Sequence, residues 1–219
     1  MESTAPVCGR WVKEPFNAFS HFAGTLLSIA GLVMLLVLSD GRAWQTVAVA
    51  IYGASLVLLF TASTLLHALH SSPMLESRLE RFDYACIFLL IAGTYTPLCL
   101  ITLRGSWGWS LLGVEWALAM GGVLSCVSGK VGRHRLRTVI YLIMGWLAMI
   151  AIVPLMQMLS STGLMWLLAG GVAYSVGAVV FLADRPKLWR SPQAAHGLWH
   201  LFVLAGAGCH FALVVEILR

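Results

Sequence analysis

Seven long runs of apolar residues, separated by short polar breaks, set the pattern of this chain. They lie at roughly 19–38, 45–66, 83–103, 109–128, 138–158, 163–183 and 197–217, each close to the 20 or so residues a helix needs to cross a hydrocarbon core. The breaks carry turn residues: Ser39-Asp40-Gly41, Arg104-Gly105-Ser106, Ser160-Ser161-Thr162-Gly163 and Asp184-Arg185-Pro186. None is long enough to join two soluble domains. The expected fold is all-α and integral to a membrane: one seven-transmembrane-helix bundle over residues 1–219, preceded by a short polar segment, 1–18. The first run does not end in a small-residue cleavage pattern, so it reads as a membrane helix and not a cleaved signal. Gly121-Gly122, Gly170-Gly171 and Ala205-Gly206-Ala207-Gly208 suit close helix packing. Pro97 and Pro154 are placed to kink the third and fifth helices.

Composition agrees. The chain is 59% hydrophobic and 11% charged, with a mean hydropathy of +0.86. A soluble domain carries about 25% charged residues, so here the exterior must face lipid.

Net charge is +5, which alone could suggest nucleic acid, but its distribution argues otherwise. Of the 14 lysines and arginines, eleven fall on one side of the expected membrane: Arg10 and Lys13 before the first helix, Arg78 and Arg81 between the second and third, Lys130, Arg133, Arg135 and Arg137 between the fourth and fifth, and Arg185, Lys187 and Arg190 between the sixth and seventh. Only Arg42, Arg104 and Arg219 fall on the other. Short basic loops stay in the cytoplasm, which puts the N-terminus inside and the C-terminus outside in a multi-pass protein. The basic side then meets anionic headgroups. Membrane lipids are the expected partners, without nucleic acid; a homo-oligomer is left open. The five cysteines, Cys8, Cys86, Cys99, Cys126 and Cys209, form no CxxC pair and read as packing residues.

Ionisable residues within or at the ends of membrane helices are costly and therefore point to function. The expected topology brings four metal-ligand types to one depth: His67 at the end of the second helix, Asp83 at the start of the third, and His196 and His200 at the start of the seventh. His196 and His200, four apart, share a helix face and can reach one ion. Ser63 stands one turn from His67 on the same face. Three imidazoles with an open fourth position suit a catalytic zinc; a carboxylate beside it suits the orienting and deprotonation of water. Imidazole also binds other metals, so zinc is a preference.

Plainer readings stand beside these. His70 and His134 read as interfacial, His21 as a partner near the site or part of a helix-capping segment from Glu14, and His210 as packing or an interhelical hydrogen bond. Asp83 alone could be a carboxylate at a helix N-terminus. Glu115 is expected to snorkel at the outer interface.

Four segments together resemble the hemolysin III family, the bacterial branch of the progestin and adipoQ receptor superfamily: Glu14-Pro-Phe-Asn17-Ala-Phe-Ser-His21-Phe-Ala-Gly24, Ser63-Thr-Leu-Leu-His67, the stretch from Asp83 to Pro97, and His196-Gly-Leu-Trp-His200-Leu-Phe-Val. The resemblance implies seven helices with the N-terminus inside, zinc held by His67, His196 and His200, and Asp83 beside a water at the metal. Many bacterial members have Asp-His where this chain has Asp83-Tyr84. The long N-terminal region of the animal receptors is absent, so no hormone ligand carries over.

Three functions follow as expectations. The first is a zinc-dependent lipid hydrolase, a ceramidase-like amidase with Asp83 as base and Ser63 as hydrogen-bond donor. The second is a non-catalytic regulator of membrane homeostasis in which the metal ties helices together. The third, ranked lower, is a pore or haemolysin, which would need polar groups along a whole path and not at one end. Lys13, Lys130 and Lys187 all lie outside the apolar runs, which excludes a retinal Schiff base in the seventh helix. An inside N-terminus also excludes a G-protein-coupled receptor.

Overall fold

Every apolar run folds as a helix. The structure, a computed structural model, describes residues 11–129, 134–183 and 194–219. In chain order the helices are α1 (Pro15–Leu38), α2 (Ala43–Ala68), α3 (Pro73–Pro97), α4 (Ser106–Val127), α5 (His134–Trp146), α6 (Ile152–Met158), α7 (Ser161–Ala183) and α8 (Ala194–Leu218). A single π turn, Leu98–Thr102, extends α3, and a 3-10 turn, Leu147–Ala151, joins α5 to α6. Seven spans are long and apolar enough to cross a membrane, with α5 and α6 forming the fifth. No strand occurs among the described residues.

One boundary differs widely from the sequence expectation. The third helix begins at Pro73, about ten residues earlier than its apolar run. Ser72 caps it by accepting from the Leu75 N–H (3.4 Å), Pro73 fills the first position, and Glu76 sits in the first turn. These are helix-start signals, and they override the charges that interrupt the apolar pattern. Asp83 therefore lies within the helix and not at its N-terminus, so the dipole reading of that residue falls.

The fifth span is broken, as Pro154 suggested. The break leaves main-chain groups without helical partners, and Tyr95 of α3 supplies them. Its hydroxyl lies 2.9 Å from the Met144 carbonyl and 3.0 Å from the Gly145 carbonyl, and it accepts from the Ala148 N–H at 2.8 Å. In the third span the π turn follows Pro97, which has no N–H to give to the ladder.

Helix α3 packs against α2, α4 and α5 and sits at the middle of the bundle. One core cluster joins α2, α3 and α8 around Tyr52, Phe60, Leu90 and Val203. A second surrounds the π and 3-10 turns, with Tyr95, Cys99, Leu111 and Leu155. Outward faces are apolar: Leu27, Val37, Val127 and Ile150 are all more than 60% exposed, as lipid contact requires. Asp40 and Gly41, both at positive φ, turn the chain between α1 and α2, and Gly105 (φ 101°) does so before α4. Near those ends Trp44 and Trp109 meet edge to face at 5.9 Å, as interfacial aromatics do.

Cys86, Cys99 and Cys126 are buried and unpaired, consistent with packing. Glu115 overturns its expectation. It is completely buried, both carboxylate oxygens lack a hydrogen-bond partner, and it faces the core of α4 instead of snorkelling. Its run looked like an interface by distance from the chain break, but α4 rotates that position onto α3. Cys8, Arg10, Lys130, Arg133 and the break from Asp184 to Arg190 lie outside the described residues.

Candidate metal centre and its cavity

The end of α2 and the start of α8 meet. His67 occupies the last turn of α2; His196 and His200 lie one turn apart at the start of α8. One ligand atom from each of the three imidazoles lies within 4.8 Å of the others. The Nε2 atoms of His67 and His196 are 3.3 Å apart. Two Zn–N bonds of 2.0–2.1 Å at a tetrahedral angle would separate their nitrogens by about 3.3–3.4 Å, so this pair already spans one tetrahedral edge. The His200 ring centre is 4.7 Å from each of the other two. The donor set fits a divalent metal of the zinc type.

A carboxylate fixes the tautomer of His67. The segment before α1 crosses the end of α2, with Lys13 N–H donating to the Ala68 carbonyl (3.2 Å) and Glu14 N–H to the His67 carbonyl (2.9 Å). Lys13 also pairs with Glu76 at 2.8 Å. This brings Glu14 Oε2 to 2.6 Å from His67 Nδ1, while Asn17 Nδ2 donates to the same oxygen at 2.8 Å. The hydrogen bond to His67, working against partial burial, holds the Glu14 carboxyl down at about 2, so it stays ionised at any physiological pH. An ionised carboxylate only accepts. His67 must then carry its proton on Nδ1 and turn the Nε2 lone pair toward the other histidines, the carboxylate–histidine–metal arrangement that orients ligands in such sites.

His200 is also supported from α1. The Asn17 main-chain carbonyl lies beside its ring, and the His21 ring stacks on it (3.8 Å between centres, 21° between planes). His21 is buried and meets Phe60 edge-on at 5.1 Å. The capping alternative for Glu14 to His21 fails, because the Glu14 side chain caps nothing at the start of α1.

Asp83 and Ser63 are both buried and line the same cavity, with the Ser63 hydroxyl near the Asp83 carboxylate. Asp83 stands outside the three-histidine group, which lines that cavity too. Tyr84 is occupied elsewhere: the Arg137 guanidinium lies 3.4 Å over its ring, its hydroxyl donates to Glu80 (3.0 Å), and its carbonyl accepts from Tyr141 (2.8 Å). His70 is exposed just past α2, and the His134 side chain lies outside the described residues. His210 makes the interhelical contact expected of it, Nε2 to the Leu167 carbonyl at 3.3 Å.

These groups line a cavity of about 480 Å³. Its lining takes in Lys13, Glu76, His67, Asp83, Tyr174 and His210, and its walls are mostly apolar. That size is in the range of small-molecule sites.

Residues 9–211 match the sequence profile of a family described as Haemolysin-III related. The chain belongs to that family. It is 44% identical over 209 residues to Hemolysin-3 of Bacillus cereus, covering 94% of this chain and 92% of that protein. It is 40% identical over 205 residues to the Hemolysin-3 homolog of Bacillus subtilis (strain 168), covering 93% of each. A more distant relative is the human Monocyte to macrophage differentiation factor, 26% identical over 226 residues, covering all of this chain and 91% of that one. Family membership and seven apolar spans make this a multi-pass bacterial membrane protein.

Reading the sequence found the three histidines but not the role of Glu14. The available signal was an acidic residue at the edge of the first span, where ionisable groups are costly.

Proposed function

We propose that this chain is a metal-dependent hydrolase of lipid amides, with its site near the cytoplasmic leaflet. What carries the reading is the conjunction of three converging imidazoles with a mostly apolar cavity that they line. A metal that only tied helices together would need no such cavity. The leaflet assignment rests on the asymmetry of basic residues between the two sides.

His67, His196 and His200 would hold the ion, and Glu14 would keep His67 in the binding tautomer. Zinc bound there supplies Lewis acidity, polarising a carbonyl and making water acidic enough to attack at neutral pH. Asp83 accepts the proton of the attacking water and returns it to the departing amine as the C–N bond breaks. Ser63, beside Asp83 in the same cavity, donates a hydrogen bond to the oxyanion that develops on the carbonyl. The apolar walls take the acyl chain.

Hydrolysis of N-acyl lipids by purified protein in lipid nanodiscs tests the reading. Turnover is expected in the metal-loaded wild type and absent from the double variant His196→Ala, His200→Ala. Equal turnover by both would refute the assignment. A structural clamp has one observation in its favour: the three ligands join α2 to α8, and Glu14 adds α1. That reading predicts a fall in melting temperature on chelation together with no turnover in any state.

A further inference from the structure

The cavity has a definite depth, because its helices agree on where it stops. On α3 the lining recurs at helical spacing, at Asp83, Ile87, Ile91 and Thr94, and ends at Tyr95. On α5 it ends at Gly145 and Trp146; on α7, which runs the other way, it begins at Gly171. The His210 ring of α8, also in the lining, lies against Gly170 and so marks the same level. Past that level the third and fifth spans break, and the core around the breaks fills the space. Tyr95 lines the cavity and also belongs to that core, beside the buried Cys99, Ala148 and Leu155.

This floor is braced. The Tyr95 hydroxyl is fixed to Met144, Gly145 and Ala148 of the fifth span, and the Trp146 indole N–H donates to the Ser175 hydroxyl of α7 at 2.9 Å. Close-packed side chains held in this way yield little, so a ligand that is too long meets a wall. Beside the two aromatic rings the lining is small. Gly145 has open space where a side chain would stand, with nothing within 4 Å. Thr94 turns its hydroxyl back to the Leu90 carbonyl of its own helix (2.8 Å).

Depth converts to chain length. Asp83 and Tyr95 are twelve residues apart on α3, about 18 Å at 1.5 Å per residue. His200 and His210, ten apart on α8, give about 15 Å. An extended chain advances about 1.2 Å per bond, by the reach of an extended backbone, so about 12–15 bonds span the distance from the histidines to the floor. We propose that the cavity is a ruler for acyl-chain length, with Tyr95 and Trp146 as its floor and Gly145 and Thr94 as the residues whose small size sets its depth. This deepens, and rests on, the proposed placement of an acyl chain there. The lipids it takes carry saturated chains of about 14 carbons or fewer, and longer chains overfill it.

The test uses saturated free fatty acids of about 10–20 carbons, which carry the acyl chain and no bond to cleave. Each competes with a fluorescent fatty acid for zinc-loaded protein in nanodiscs of one lipid. The transfer of methylenes between two apolar surroundings then nearly cancels, and fit alone is read. Affinity is expected to stay nearly level up to about 14 carbons and to fall about fivefold or more beyond, as overpacking does. Gly145→Leu and, separately, Thr94→Phe add bulk above the floor from two different helices, and each should move the break down by about three carbons. Leu118→Phe, on the lipid-exposed face of α4, should leave it in place. Equal displacement at every length, or a break that neither cavity substitution moves, would overturn the ruler and leave the hydrolase reading standing. Displacement by no fatty acid of any length would remove the acyl cavity, and both readings with it.

Discussion

Glu14 offers the sharpest test of how the histidines are held. The perturbation is Glu14→Ala, which removes the acceptor 2.6 Å from His67 Nδ1 and leaves the main-chain bonds of Lys13 and Glu14 to α2 in place. Without the carboxylate, His67 is free to place its proton on Nε2, the nitrogen facing His196, where it would block a ligand position. It also loses a short charge-assisted bond, about twice as strong as a neutral one. Losing such a partner weakens metal binding by about 10–100-fold, or about 1.4–2.7 kcal/mol. Glu14→Gln should lie between, since an amide oxygen can still accept from Nδ1 but without the charge. Zinc competition against a chromophoric chelator in detergent measures the order directly: wild type tightest, Gln next, Ala weakest. Wild-type affinity in Glu14→Ala would refute the tautomer argument even with the histidines intact.

Three substitutions test the packing that positions the site, each by thermal unfolding in one detergent. Tyr95→Phe removes the hydroxyl that serves the Met144 and Gly145 carbonyls and the Ala148 N–H, and should cost about 1–3 kcal/mol; an unchanged melting temperature would show the broken span needs no such support. Glu115→Leu removes a wholly buried carboxyl without partners and should stabilise by about 1–3 kcal/mol, whereas destabilisation would reveal a partner for it. Gly122→Ala drives a carbon to within 2.5 Å of the Phe88 ring and should cost about 1–3 kcal/mol by forcing α3 and α4 apart; no change would mean that contact is loose.

Hydropathy made the bundle legible, because a span through lipid needs a long apolar run and these seven stand clear of their neighbours. It failed where another signal was stronger. The start of α3 is set by Ser72 and Pro73 and not by apolarity, and the fate of Glu115 depends on helix rotation, which a composition window does not carry. The histidines were legible because His196 and His200 repeat at helical spacing and His67 ends a span. Glu14 was not, since its role arises from a segment laid across the end of α2, a tertiary contact; His21 was expected near the site and is there, but it stacks on His200 and its ring makes no hydrogen bond. His210 kept its expected interhelical bond, but the cavity floor joins Tyr95 and Trp146 from two helices, so no local pattern announces it.

The central claim is that the last turn of α2 and the first turns of α8 share one ion. X-ray absorption at the zinc edge on purified, zinc-loaded protein tests it most directly, set beside the triple variant His67→Ala, His196→Ala, His200→Ala. The account predicts about one zinc per chain, with nitrogen scatterers at about 2.0–2.1 Å in the wild type, and none in the variant. Zinc retained by the variant, or held in the wild type by oxygen or sulfur without imidazole, would contradict it.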